Sequence, residues 1–124
     1  MRVLLSIKPK YAERIFSGEK QYEFRRVLFK RPETRVVVVY ASAPVSKVVG
    51  EFEISGIISD SPSCLWAATK EHAGIDEDSF FDYFAGQQMA HAIKVKNPTR
   101  YQRALDIREE FSLRPPQSFA YLPN

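Results

Sequence analysis

Between Ser17 and Arg26 the chain reads SGEKQYEFRR, which sets three cations and two carboxylates around one glycine and two aromatics. The cations are Lys20, Arg25 and Arg26; the carboxylates are Glu19 and Glu23. A lysine acts as a base only when neutral, which requires burial or neighbouring cations. Arg25 and Arg26 would weaken the hold of Lys20 on its proton, whereas Glu19 and Glu23 would strengthen it. Arginine offers a planar fork to a phosphate or a base edge. The stretch is therefore a candidate floor for an anion site. The competing reading is a barrel ion pair between Glu23 and Arg25, contributing about 0–1 kcal/mol at a surface, with Lys20 solvated.

Other residues able to do chemistry are sparse. His72 and His91 are the only histidines, and neither has metal-ligand spacing to the other. No Ser, His and Asp group as a triad, and there is no GxGxxG, Walker loop or CxxC. The expectation is no metal and no cofactor. The single cysteine, Cys64, excludes an internal disulfide and suits a reducing compartment. No signal-like start and no membrane-length apolar run are present, so the expectation is a soluble cytoplasmic protein.

The elements that must position Lys20 and its neighbours follow from periodicity. RVLLSI (2–7) reads as a strand. KPKYAERIFSG (8–18) reads as a short helix, with Pro9 at its first position, Ala12, Ile15 and Phe16 on one face and Gly18 as its stop. KQYEFRR (20–26) alternates as a strand, which puts Lys20 opposite Glu23 and Arg25 unless Lys20 belongs to the preceding turn or a bulge intervenes. RVVVVYAS (35–42) is a strand buried on both faces. KVVGEFEISGII (47–58) is a long strand with bulges or bends at Gly50 and Gly56. SPSCLWAATKEHAG (61–74) and DEDSFFDYFAG (76–86) read as helices, the first capped by Ser61. MAHAIKVK (89–96) is a strand, YQRALDIREEF (101–111) a short amphipathic segment, and PPQSFAYL (115–122) the entry to a last strand. One domain over 1–124 accounts for the whole chain. Parallel βαβ units do not recur, so the fold class is α+β, a small mixed β-barrel flanked by helices.

Charge is lopsided within a formal net of +3. Residues 1–50 hold 11 Lys/Arg against 4 Asp/Glu, and residues 51–124 hold 7 against 11. A basic half on a small domain suggests an anionic partner, nucleic acid first. The aromatics Tyr22, Phe24, Tyr40 and Trp66 are candidates to stack on a base, each of them also a natural core residue.

The stretch KPKYAERIFSGEKQYEFRR resembles the signature of ASCH domains, relatives of the PUA RNA-binding fold. Their pattern G-x-K-x-x-E-x-R falls on Gly18, Lys20, Glu23 and Arg25 without substitution. VYASAPVSKVVGEFEI (39–54), Trp66, FFDYFAG (80–86), AHAIKV (90–95) and PPQSFAYL (115–122) resemble the same family, the last a branch labelled predicted transcriptional regulators. The resemblance implies a PUA-like barrel with a cleft beside the first helix. It also implies RNA binding; taken with the basic half and the aromatics, the candidate binding residues are Lys8, Lys10, Lys20, Glu23, Arg25, Arg26 and Tyr40. Some members hydrolyse N4-acetylcytidine with a Lys, a Thr and a Glu. The Lys falls on Lys20, the Thr on Glu23, and the Glu near Asp76 or Glu77. Another member is reported as a ribonuclease. The Thr-to-Glu departure argues for a charged, ligand-clamping Lys20. The reading is thus an RNA-binding protein, possible regulator of transcription or translation. The alternative is a small nucleoside-processing enzyme or ribonuclease using the same cleft through Lys20, Glu23, Asp76 and Glu77.

Overall fold

The computed structural model describes residues 1–123. Six strands form one mixed sheet: β1 (Arg2–Ile7), β2 (Tyr22–Arg25), β3 (Val36–Ala41), β4 (Lys47–Asp60), β5 (Ala90–Leu105) and β6 (Phe119–Leu122). Their spatial order is β2-β5-β4-β3-β1-β6. β1 lies parallel to β3, and the other neighbours are antiparallel. Helix α1 (Pro9–Ser17) links β1 to β2. Helices α2 (Pro62–Thr69) and α3 (Glu77–Tyr83) fill the β4–β5 connection, and α4 (Ile107–Phe111) precedes β6. No helix among the described residues is long and apolar enough to cross a membrane.

The alternation of strand side chains divides the core. Val3, Leu5, Ile7, Val37 and Val39 pack against Ala12 and Ile15 of α1. The intervening Leu4, Val38 and Tyr40 face the other way, onto Val48, Ile107 and Leu122. This explains the unbroken apolar run of β3, which is covered on both faces. A third cluster joins Phe24, Ala90 and Ala92 to Leu65 of α2, Phe80 of α3 and Phe84 just after it.

The ladder between β4 and β5 shifts register at Gly50 and Gly56, as the glycine spacing predicts. At Gly50 the reason is close approach: a Cβ there would collide with the Phe16 ring and the Thr99 carbonyl. β5 runs on to Leu105, through Asn97–Pro98 and through residues 101–105, expected to be amphipathic and separate. Glu51 pairs with Thr99 and Glu53 with Lys96, so Asn97–Pro98 bulges opposite Phe52, and a bulge tolerates proline.

The expected barrel does not close. β2 and β6 are the two edges of the sheet, and no backbone ladder joins them. β2 has only four residues, and the guanidinium of Arg25 occupies the seam. Its Nη1 donates to Ser6 O at 3.3 Å and its Nη2 to Ser118 O at 3.1 Å and Ser118 Oγ at 3.0 Å. A side chain performs the closure that backbone pairing performs in a barrel.

Candidate functional site

A cleft of about 840 Å³ opens beside that seam. One wall is the end of β1 and the start of α1, with Lys8, Lys10 and Tyr11. The opposite wall is α3 and the turn after it, with Ser79, Asp82, Tyr83 and Gln87. Gln117 and Ser118 border the seam, and Lys20, Glu23 and Phe24 form the floor. The volume is within the range of sites for small ligands.

Lys20 lies in the turn before β2, so it escapes strand alternation and meets Glu23 and Arg25 in one cleft. The turn is shaped by Gly18, whose left-handed φ of 89° ends α1. Lys20 is 2% exposed. Its Nζ donates to Ala73 O at 2.9 Å and sits 4.6 Å from the Phe24 ring centre and 5.2 Å from that of Tyr11. Burial pushes its proton affinity down, from 10.5 to about 8; Glu23 opposes the shift and Arg14 assists it. The cation that assists is therefore Arg14, on the last turn of α1, and not Arg25 or Arg26. A group with a pKa of about 8 is still mostly charged at neutral pH.

Three successive carbonyls tie the segment His72–Gly74 to Lys20 and its neighbours. His72 O accepts from Gln21 N at 2.9 Å, Ala73 O from Lys20 Nζ, and Gly74 O from Arg14 Nη1 at 2.9 Å. Gly74 has φ +64°, and a Cβ there would overlap Lys20 Cβ and Cγ. Glycine alone fits at this position.

Glu23 and Arg25 are 6% and 8% exposed. Arg25 Nη1 donates to Glu23 Oε2 at 3.2 Å. The ion pair foreseen at a surface is thus buried. With four bonds to Ser6, Ser118 and Glu23, the guanidinium has no fork to offer a phosphate, contrary to expectation. Arg26 takes the exposed position. Its Cζ lies 4.7 Å from the Tyr83 ring centre, and the residue lines the cleft.

Three further expectations are corrected. Tyr40 does not line the cleft; it packs among Leu4, Val38 and Val48 because its register on β3 turns it to the other face. Asp76 caps α3, accepting from Ser79 N at 2.8 Å, and this bond holds its carboxyl below the usual range. Glu77 accepts from Trp66 Nε1 at 2.9 Å. Neither acid lines the cleft. Trp66 packs on Phe80, ring centres 4.9 Å apart, and offers no stacking face there. The acid that α3 does bring to the cleft is Asp82, one helical turn beyond Asp78. Among the described residues no three His, Cys, Asp or Glu come together as metal ligands would.

An open mixed sheet whose first helix and central helical insert enclose a lysine-floored cleft is the architecture of one class of small domains. The chain belongs to the ASCH domain family, whose model matches residues 5–102. It is 30% identical over 124 residues to the ASCH domain-containing ribonuclease of Zymomonas mobilis, covering 96% of this chain and 82% of that protein. The crystal structure of an ASCH protein from Zymomonas mobilis superposes with a TM-score of 0.90 at 28% identity, covering 98% of this chain and 87% of that one. Ribosomal protein uL22 of Ureaplasma parvum is 29% identical over 123 residues, but the match takes in only 39% of its length.

Proposed function

We propose that the domain binds single-stranded RNA in the cleft and cleaves its backbone, with Lys20 receiving the proton of the attacking 2′-hydroxyl. The observation that carries this reading is a buried lysine with its pKa near 8 on the floor of a cleft rimmed by exposed cations. At pH 7 about a tenth of such lysines are neutral, and a base works best with a pKa near the working pH.

Lys8 and Lys10 flank the N-terminus of α1, where the helix dipole also favours a phosphate. Arg26 faces them across the cleft. Lys8 and Lys10 would hold flanking phosphates, and Arg26 would stabilise the charge that grows on the one under attack. The 2′-oxygen bonds to the adjacent phosphorus and the P–O5′ bond breaks. A 2′,3′-cyclic phosphate remains, and the leaving oxygen takes a proton from water. The name of the Zymomonas relative supports this chemistry. A regulator of transcription or translation would use the same RNA binding, and no feature of the cleft argues for it specifically.

The test is incubation of the pure protein with labelled single-stranded RNA and, separately, with N4-acetylcytidine, read by mass spectrometry. Fragments ending in a cyclic phosphate, absent with Lys20→Met, are the expected outcome. RNA recovered intact across pH 6–9 would reject the cleavage step. Release of cytidine from the acetylated nucleoside would put the amidohydrolase reading in its place.

A further inference from the structure

We propose that Glu23 selects the base that enters the cleft, admitting those with an exocyclic amino group and rejecting uracil. The inference rests on the RNA reading above and extends it to sequence preference. Only one carboxylate oxygen of Glu23 is used by the fold: Oε2 receives Arg25 Nη1. No described residue donates to Oε1. Yet no buried side-chain N or O among the described residues lacks a partner. Oε1 is therefore reached from the cleft that Glu23 lines.

An ionised carboxylate is acceptor only. Set on a nearly buried floor, it binds a donor strongly and penalises another acceptor brought against it. The rings of Phe24 and Tyr11, which flank Lys20 Nζ, line the same cleft and offer apolar cover to a planar base. Cytosine presents its N4 amino group to such an acceptor, as adenine presents N6. Uracil is the same size as cytosine but carries a carbonyl oxygen at position 4, which would face Oε1 as acceptor against acceptor. Arg25 fixes the orientation of the carboxylate, since its own position is fixed by Ser6 and Ser118. If Glu23 serves only as the ion-pair partner of Arg25, the identity of the base is irrelevant.

The experiment measures binding of 2′-O-methyl oligomers, which cannot be cleaved, so that recognition is separated from turnover. Twelve-nucleotide oligocytidylate, oligoadenylate and oligouridylate carry the same number of phosphates, so counterion release is matched. The wild-type protein is expected to hold the first two about tenfold more tightly than the third, the discrimination typical of one well-placed contact. Glu23→Gln keeps the shape and leaves an amide oxygen for Arg25 while turning a donor toward the cleft. It is expected to erase or invert the preference. Equal wild-type affinities, or a preference unchanged in Glu23→Gln, would overturn the inference while leaving RNA binding intact. Failure of every oligomer to bind would remove the RNA reading and this inference with it. Should Glu23→Gln not fold, wild-type titration with cytidine and uridine monophosphates decides the matter, equal binding counting against.

Discussion

Lys20 and Arg25 are buried cations five positions apart, and the fold treats them in opposite ways. Arg25 is given four hydrogen bonds, one of them to a carboxylate, and spends its donors on joining two sheet edges. Lys20 is given one carbonyl, two aromatic faces and Arg14 on α1 as a second positive charge. The first arrangement stabilises a charge; the second loosens a proton. The contrast teaches that burial alone does not mark a reactive group. What marks it is burial with too few partners, because only then does the charged form become costly.

The largest effect should come from Lys20→Met. Cleavage of RNA should fall by roughly 10²–10⁴-fold, the usual worth of a positioned base, while the unfolding midpoint holds or rises. A midpoint that fell sharply instead would make Lys20 a second Arg25 and dissolve the contrast. For Arg25→Ala the opposite pattern is expected. Glu23 is left buried without its partner, and denaturant unfolding should show a loss of about 3–5 kcal/mol. Arg25→Lys should not restore it, since an ammonium group cannot span Ser6, Ser118 and Glu23 together.

Titration sharpens the comparison further. Lys20 has a folded pKa of about 8 against 10.5 for the free side chain. Below pH 8 it is protonated in both states, and the fold bears the cost of burying the charge. Between about pH 8 and 10.5 the unfolded chain binds the extra proton, so stability from this residue rises with pH. The gain should be about 3 kcal/mol in all, seen as the difference between wild type and Lys20→Met in unfolding at pH 7 and pH 10.5. The same group should give a cleavage rate that climbs with pH and levels near 8. A difference that stayed flat would show that the proton is not loosened. The smallest effect belongs to the rim. Lys8→Ala and Lys10→Ala should each weaken RNA binding and reduce the slope of log affinity against log salt by about 1, leaving cleavage of bound RNA nearly unchanged.

Much of this was legible in the chain. Pro9, Ala12, Ile15 and Gly18 specify α1 by local rules, and the β-branched run specifies β3 as doubly buried. Gly50 and Gly56 mark the register shifts. The Gly18–Arg25 pattern singles out Lys20 as a candidate site residue, and the structure places it on the floor of the cleft. The partners that tune it were not legible: Arg14 and the Ala73 carbonyl meet it through tertiary packing, and a carbonyl carries no sequence signal. Asp82 and Tyr83 were passed over because periodicity reports which face of α3 is apolar, not which face borders a cavity. Arg25 was assigned to ligand because its composition suits phosphate; only the three-dimensional approach of Ser6 and Ser118 reveals its real partners. The open seam was equally hidden, since strand periodicity is the same in an open sheet and a closed barrel.

The seam also has a consequence in time. Its partners, Ser6 and Ser118, lie 112 positions apart in the chain, and β1 meets β6 through Arg2 to Leu5 against Phe119 to Leu122. During synthesis, α1, β2 and the segment His72–Gly74 are all made before residue 118 exists. Arg25 then has no carbonyl at 118 to grasp, and the border formed by Gln117 and Ser118 is missing. The cleft is thus completed only after the segment around residue 122 has left the ribosome.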